Sequence, residues 1–219
     1  MSKDSEEPAV DLLGDPLPEM SPPGRQNVKR GRAATVDEHE RSHRDFLTEG
    51  ETARLLTAAK AGRYGARDYC MLLLMYRHGL RVSELTGARR ADIDLDAGRI
   101  WVKRNKDGLS TNQPLQGDEL RALRAYLRMR KDYLPWLFLS SQGGQMTRQN
   151  VNYLIQQAGV RASLGHVHPH MLRHTCGHVL ANKGTDTRLL QDWLGHRDIR
   201  HTAWYTRTSS KRFEGVWQD

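Results

Sequence analysis

Residues 168–205 read HPHMLRHTCGHVLANKGTDTRLLQDWLGHRDIRHTAWY, and the positions of the apolar residues within them set the expected fold. Pro169 opens a helix where a missing N–H costs little, and Met171, Leu172, Thr175, Cys176, Val179 and Leu180 line one stripe of it. Gly184 ends this helix. Asp186 or Thr185 caps the next one, whose Leu189, Leu190, Trp193 and Leu194 recur at helical spacing until Gly195 stops it. His196 is thereby placed on a turn. From Ile199 a further short segment is expected to carry Trp204 inward and to hold Tyr205 in a basic, polar setting near His196. His170 and Arg173 border the first stripe three residues apart, so a buried helix would aim an imidazole and a guanidinium together at one phosphate. Tyr205 is a candidate nucleophile beside them.

Upstream, the patterns remain mostly helical. In FLTEGETARLLTAAK (46–60), Thr48 with Glu51 three residues later reads as a capping box ahead of Leu55, Leu56 and Ala59. ARDYCMLLLMYRHG (66–79) carries an apolar run from Tyr69 to Tyr76, too short for a membrane and suited to a central buried helix ended by Gly79. Arg81 follows at once, and Val82, Leu85 and Ala88 predict a short helix that holds it against the core. From Asp92 to Pro114 the pattern changes: IDL, RIWVKR, the polar turn NKDG and STNQPL predict short strands with a hairpin. A helix over Asp118 to Arg130, a strand at WLFL (136–139) and a helix capped by Thr147 and ending at Gly159 complete the reading. The fold class is mainly α with a small antiparallel β-sheet, spanning 46–219.

Residues 1–45 mix Pro, Gly, Ser and charges without apolar periodicity, acidic first and then basic, and are expected to be disordered. The first 20 residues carry one Lys against six Asp/Glu, so a chain of net charge +8 has +13 on the remainder. That imbalance points to a polyanion partner. At 219 residues with 37% hydrophobic content there is room for one substantial core. No run approaches a membrane span, no apolar leader is present, and Cys70 and Cys176 both fall in apolar helical patterns, so a reducing cytoplasm is the expected location.

The order H-x-x-R, then L-G-H, then Y a short helix later resembles the catalytic domain of the tyrosine recombinases. Here it falls on His170, Arg173, Leu194-Gly195-His196 and Tyr205, and HGLRVSEL (78–85) is similar to the family's first arginine box, supplying Arg81. The phrases DIDL, STNQPL, HPHMLRH, DTRLLQDWLGH and IRHTAWYT are especially similar to the short fimbrial phase-variation invertases, and the likeness runs from about Phe46 to Trp217. Five short motifs in one order and spacing are specific where any one would be weak.

The resemblance implies a fold, that of the tyrosine-recombinase catalytic domain, and a chemistry. Arg81 and Arg173 would bind the non-bridging oxygens of a DNA phosphodiester, with His196 adding a hydrogen bond. Tyr205 would attack phosphorus and form a 3′-phosphotyrosyl bond, His170 being the favoured neutral base for its proton. A catalytic lysine on the hairpin would protonate the leaving 5′-oxygen. Lys106 lies in the turn and is favoured, with Lys103 on the preceding strand as the alternative. No cofactor and no metal are required. Implied partners are double-stranded DNA with paired recombination sites, a homotetramer formed on that DNA through the tail bearing Phe213, Val216 and Trp217, and DNA-bending accessory proteins, at the nucleoid. Inversion of a promoter segment is the favoured outcome, with an integrase or excisionase of a mobile element, or a catalytically silent DNA-binding regulator, as alternatives.

Taken singly, each residue has a plainer reading. Arg81 suits an ion pair with Glu84, His170 a satisfied buried histidine, Arg173 a structural ion pair, Tyr205 an aromatic at the core edge, and His196 a loop hydrogen bond. His166, His168, His170, His174 and His178 form a stripe that could ligate zinc, but without an acidic or cysteine ligand at a recognised spacing.

Overall fold

The computed structural model describes residues 44–104 and 108–208. The N-terminal segment up to residue 43, Lys106 and the apolar tail residues Phe213, Val216 and Trp217 lie outside the described residues. Among those described, eight α-helices surround one three-stranded antiparallel sheet, matching the expected class. None of these helices is long and apolar enough to cross a membrane.

Helix α1 (Glu49–Lys60) starts at the capping box: Thr48 Oγ1 accepts from the Glu51 amide at 3.2 Å, and Glu51 Oε2 accepts from the Thr48 amide at 2.8 Å. Helix α2 (Gly65–His78) is the axis of the core, with Cys70 to Met75 all buried. It ends at Gly79 in the left-handed region (φ +57°), where a Cβ would lie 2.5 Å from Leu194 Cδ2. Glycine there both turns the chain and admits Leu194. Helix α3 (Val82–Gly87) follows immediately and buries Leu85.

A single 3-10 turn leads to strands β1 (Ile93–Asp94), β2 (Arg99–Val102) and β3 (Thr111–Pro114), in spatial order β1-β2-β3 with Ile93 opposite Ile100 and Val102 opposite Thr111. Alternation along β2 buries Ile100 and Val102 and, one step past the strand, Arg104, leaving Trp101 and Lys103 outside. Helix α4 (Gly117–Met129) packs on α2, and α5 (Arg148–Arg161) packs on α1 and α3.

WLFL is not a strand. It makes isolated bridges, Arg89 to Trp136 and Leu139 to Gln145, and its Leu137 amide donates to Ala88 O at 2.8 Å. Leu137, Phe138 and Leu139 are all buried, so both sides of the segment are covered by the domain and no partner strand runs alongside. The Arg130 guanidinium takes the carbonyls of Trp136 and Leu137 that a ladder would have used.

Helix α6 (Pro169–Asn182), with proline at its first turn, lies against α2. Helix α7 (Thr187–Leu194) is capped by Asp186, whose side chain accepts from the Arg188 and Leu189 amides, and stops at Gly195 in the left-handed region (φ +64°). Helix α8 (Ile199–Thr208) folds back on α6 and α7. These three helices enclose a second, smaller apolar cluster of Cys176, Ala181, Leu190, Leu194 and Tyr205.

Candidate active site

Arg81 occupies the N-cap position of α3, the rigid mounting its sequence suggested. Glu84 holds it twice, accepting from the Arg81 amide at 2.9 Å and from its guanidinium at 2.8 Å. Its Oε2, which takes the Arg81 amide, also accepts from Arg104 Nη1 at 2.7 Å. The ion pair of the plainer reading therefore exists, but it leaves a third of the Arg81 side chain open to solvent, available to an anion. Burial by itself would raise the Glu84 carboxyl; the Arg104 and Arg81 guanidiniums outweigh it and hold it below the ordinary glutamate range.

Arg173 is buried on α6 and donates to two main-chain carbonyls, Gly79 O at 2.5 Å and Leu194 O at 2.7 Å. One lies at the C-terminal end of α2 and the other at that of α7, where helix dipoles favour a cation. A single guanidinium thus pins the turn carrying Arg81 to the turn carrying His196. Burial, then the neighbouring Arg81 and Arg104 charges, push Arg173 down to about 10, which leaves it cationic at neutral pH.

His196 follows the α7 stop as expected, half-buried, with Nδ1 2.9 Å from Thr202 Oγ1. Burial, followed by Arg173, Arg81, His201 and Arg104, pushes its pKa down to about 3. A neutral imidazole fits a hydrogen-bonding role at the phosphate. His170 is largely exposed at the first turn of α6; the partial desolvation of its ring, then His168, Arg173 and Arg81, lower its proton affinity, with Asp45 acting against them.

For the aromatic pair on α8, the structure reverses the expectation. Trp204 is 47% exposed, whereas Tyr205 is buried in the small cluster with its ring 6.3 Å from that of His196 at an interplanar angle of 11°. Thr202 and Tyr205, three residues apart, share the inward face, and Trp204 lies beside it against the His174 and His178 rings. The Tyr205 hydroxyl is 2.7 Å from His174 Nδ1. Burial drives this phenol up to about 12, partly offset by Arg173 and Arg81, so its ionisation needs a proton acceptor at hand.

Tyr205 crosses α6 at Gly177, where a Cβ would meet the ring's Cζ at 2.7 Å and both Cε atoms at 2.8 Å. A Gly177→Ala substitution is therefore expected to destabilise the domain by about 1–3 kcal/mol, because overpacking forces the ring or the helix aside. Thermal or urea melts of both proteins measure it. An unshifted midpoint would show that the ring slides away freely.

Three residues that the motifs did not single out also belong here. Arg104 is buried, bonded to Glu84, to His78 O at 2.9 Å and to Trp193 O, and it packs against Gly195 so closely that a Cβ there would lie 2.6 Å from its Cγ. The alternation of RIWVKR was the available signal: Ile100, Val102 and Arg104 share parity and point inward, while Lys103 is outward and exposed. The second and third are His174 and Asp45, whose Oδ2 lies 3.1 Å from His174 Nε2.

The histidine stripe divides among different tasks. His168 pairs with Asp45 at 3.2 Å, His174 with Tyr205, and His178 lies against Phe46 at 3.8 Å between ring centroids. Among the described residues no three His, Cys, Asp or Glu side chains gather in a way that could hold a metal ion.

Comparison with known proteins bears on the family and the fold. The phage integrase family model matches residues 45–212. The chain is 48% identical over 179 residues to the type 1 fimbriae regulatory protein FimB of Escherichia coli strain K12, covering 80% of this chain and 90% of that protein. It is 45% identical over 183 residues to FimE of the same strain, covering 81% and 92%. Tyrosine recombinase XerC of Azotobacter vinelandii strain DJ is 37% identical over 175 residues, which are 78% of this chain and 58% of XerC. Among solved structures, XerA recombinase superposes with a TM-score of 0.68 at 28% identity, covering 75% of this chain and 61% of XerA. The Tn1549 transposon integrase in complex with a circular intermediate DNA shares the fold, with a TM-score of 0.65 at 22% identity over 73% of this chain and 60% of that one.

Proposed function

The chain belongs to the phage integrase family and is a tyrosine recombinase, and on that premise we propose that it inverts a short DNA segment between paired sites, as a phase-variation switch of fimbrial type. The observation that carries the chemistry is the Arg173 guanidinium, which joins the Arg81 turn to the His196 turn one helix away from the Tyr205 ring. What favours inversion is the identity of 45–48% to two fimbrial regulatory proteins across at least nine tenths of their length.

In this reading Arg81 and Arg173 bind the non-bridging oxygens of the scissile phosphate and stabilise the charge that builds up in the transition state. His196, kept neutral, adds a hydrogen bond. Tyr205 attacks phosphorus, a 3′-phosphotyrosyl bond forms, and the 5′-oxygen leaves with a proton from Lys106. Lys106 is favoured by its place in the turn of the hairpin, with Lys103, outward and exposed, as the alternative. His170, exposed at the first turn of α6, is the proton acceptor that the family resemblance implies. A 5′-hydroxyl from the partner duplex reverses the step, so strand exchange proceeds without an energy cofactor. Two duplexes need four such sites, hence a homotetramer assembled on DNA in the cytoplasm, with the catalytic domain taken back from the expected start at 46 to include Arg44 and Asp45, which pair with Glu51 and His174, and with DNA-bending proteins assisting.

A plasmid in which the inverted repeats nearest this gene flank a promoter and reporter tests the proposal directly. Purified protein is expected to interconvert the two promoter orientations, read by restriction mapping. Covalent attachment without inversion, together with joining to an unlike second site, would replace inversion by integration.

A further inference from the structure

The Tyr205 hydroxyl is bonded to His174, one residue past the motif arginine, and His174 is in turn bonded to Asp45, ahead of the first helix. A carboxylate only accepts. In a neutral His174 the proton therefore resides on Nε2, facing Asp45 Oδ2, and the Nδ1 lone pair is turned toward the phenol, which donates to it.

Both partners are held in place. His174 projects from the middle of α6, directly after the buried Arg173. Asp45 is followed directly by two anchors to the same helix: the Phe46 ring lies against that of His178, tilted by 31°, and the Leu47 amide donates to Thr175 Oγ1 at 2.8 Å. Thr175 in turn donates to Met171 O, which fixes its rotamer. The other Asp45 oxygen lies 3.2 Å from His168 Nε2. By contrast His170, the acceptor that the family resemblance implies, is exposed, with its ring centroid 6.4 Å from that of His174.

We propose that His174 is the proton acceptor for Tyr205 and that Asp45 is the positioning residue that fixes its tautomer and orientation. This rests on the reading of Tyr205 as nucleophile and replaces His170 in the role of base. As the Tyr205 Oη–P bond forms and the P–O5′ bond breaks, the phenol proton passes to His174 Nδ1, giving an imidazolium beside the Asp45 carboxylate. The 5′-oxygen takes its proton from the general acid assigned to Lys106. On rejoining, the incoming 5′-hydroxyl returns a proton to the lysine, and the departing phenolate recovers its own from His174. No net proton is consumed. The arrangement follows the logic of an acid–histidine pair behind a hydroxyl nucleophile.

Burial keeps His174 below the ordinary histidine range. Asp45 acts against that shift, and His170, Arg173 and His168 act with it, so the base is free at neutral pH. Removing the Asp45 charge should lower its proton affinity further.

The experiment measures single-turnover formation of the covalent adduct on a nicked duplex carrying the repeat nearest this gene, across pH, for wild type, His174→Ala, His174→Asn and Asp45→Asn. His174→Ala is expected to bind DNA normally but to attach about 10²–10⁴-fold more slowly, with partial rescue by added imidazole. His174→Asn keeps an acceptor near the Nδ1 position but cannot retain the proton, so it should stay slow. Asp45→Asn should slow attachment and move the acid limb of the pH–rate profile to lower pH, a displacement that a merely structural role would not produce. Attachment by both His174 variants within threefold of wild type would overturn the proposal, as would an unmoved acid limb in Asp45→Asn. An adduct that persists in Tyr205→Phe would instead sink the nucleophile assignment, whatever the His174 variants do.

Discussion

Tyr205→Phe is expected to abolish covalent attachment to DNA while leaving site-specific binding intact, the largest functional effect of any single-atom change in this chain. The phenyl ring keeps its place against Gly177 and in the cluster with Cys176, Leu190 and Leu194, so the apolar packing survives. What is removed is the oxygen 2.7 Å from His174, one hydrogen bond worth about 0.5–1.5 kcal/mol to the fold. A domain of this size tolerates that loss, and affinity is set by phosphate contacts elsewhere on a basic surface. Incubation of both proteins with a nicked duplex, followed by denaturing electrophoresis, reads the outcome. A denaturation-resistant adduct from the Phe variant would show that another side chain attacks the phosphorus.

The motif residues were legible in the sequence because helix periodicity and stop signals position them. Gly79 and Gly195 end helices in the left-handed region, and Arg81 and His196 follow each stop by one or two residues. Arg104 is legible through strand parity, sharing that of the buried Ile100 and Val102. The sequence places Trp204 inward, whereas it is 47% exposed in the fold. The inward face of α8 is set instead by Thr202 and Tyr205, which pack on a glycine that leaves room for a ring. WLFL has strand composition, but its main chain bonds to Ala88 and to the side chains of Arg67, Tyr126 and Arg130 instead of to a neighbouring strand. Asp45 carries no periodic signal at all. Its pairing with His174 joins positions 129 residues apart, and only the folded chain brings them together.

Glu84→Gln is expected to be the most destabilising conservative change, at about 3–5 kcal/mol, because it leaves the Arg104 charge buried without a counter-charge, with only neutral carbonyl oxygens as partners. Arg104 and Glu84 have side-chain exposures of 0% and 1%, so water cannot take over. For a domain of this length that loss corresponds to a fall in melting temperature of roughly 6–20 °C. The pH dependence has a definite sign. The folded Glu84 carboxyl lies below its unfolded value, so its contribution is complete above the ordinary glutamate pKa of about 4.3 and disappears as pH falls through the lower folded value. Wild type should therefore lose stability on acidification in a way that Glu84→Gln does not share. The double variant Glu84→Met with Arg104→Met removes both charges at similar volume and should recover most of the stability. It should not recover recombination, because Arg81 loses the carboxylate that holds it at the N-terminus of α3. Melts of the three proteins from acid to neutral pH, with adduct assays alongside, separate the two roles. A Glu84→Gln protein melting within about 1 kcal/mol of wild type would show that neutral acceptors suffice for Arg104.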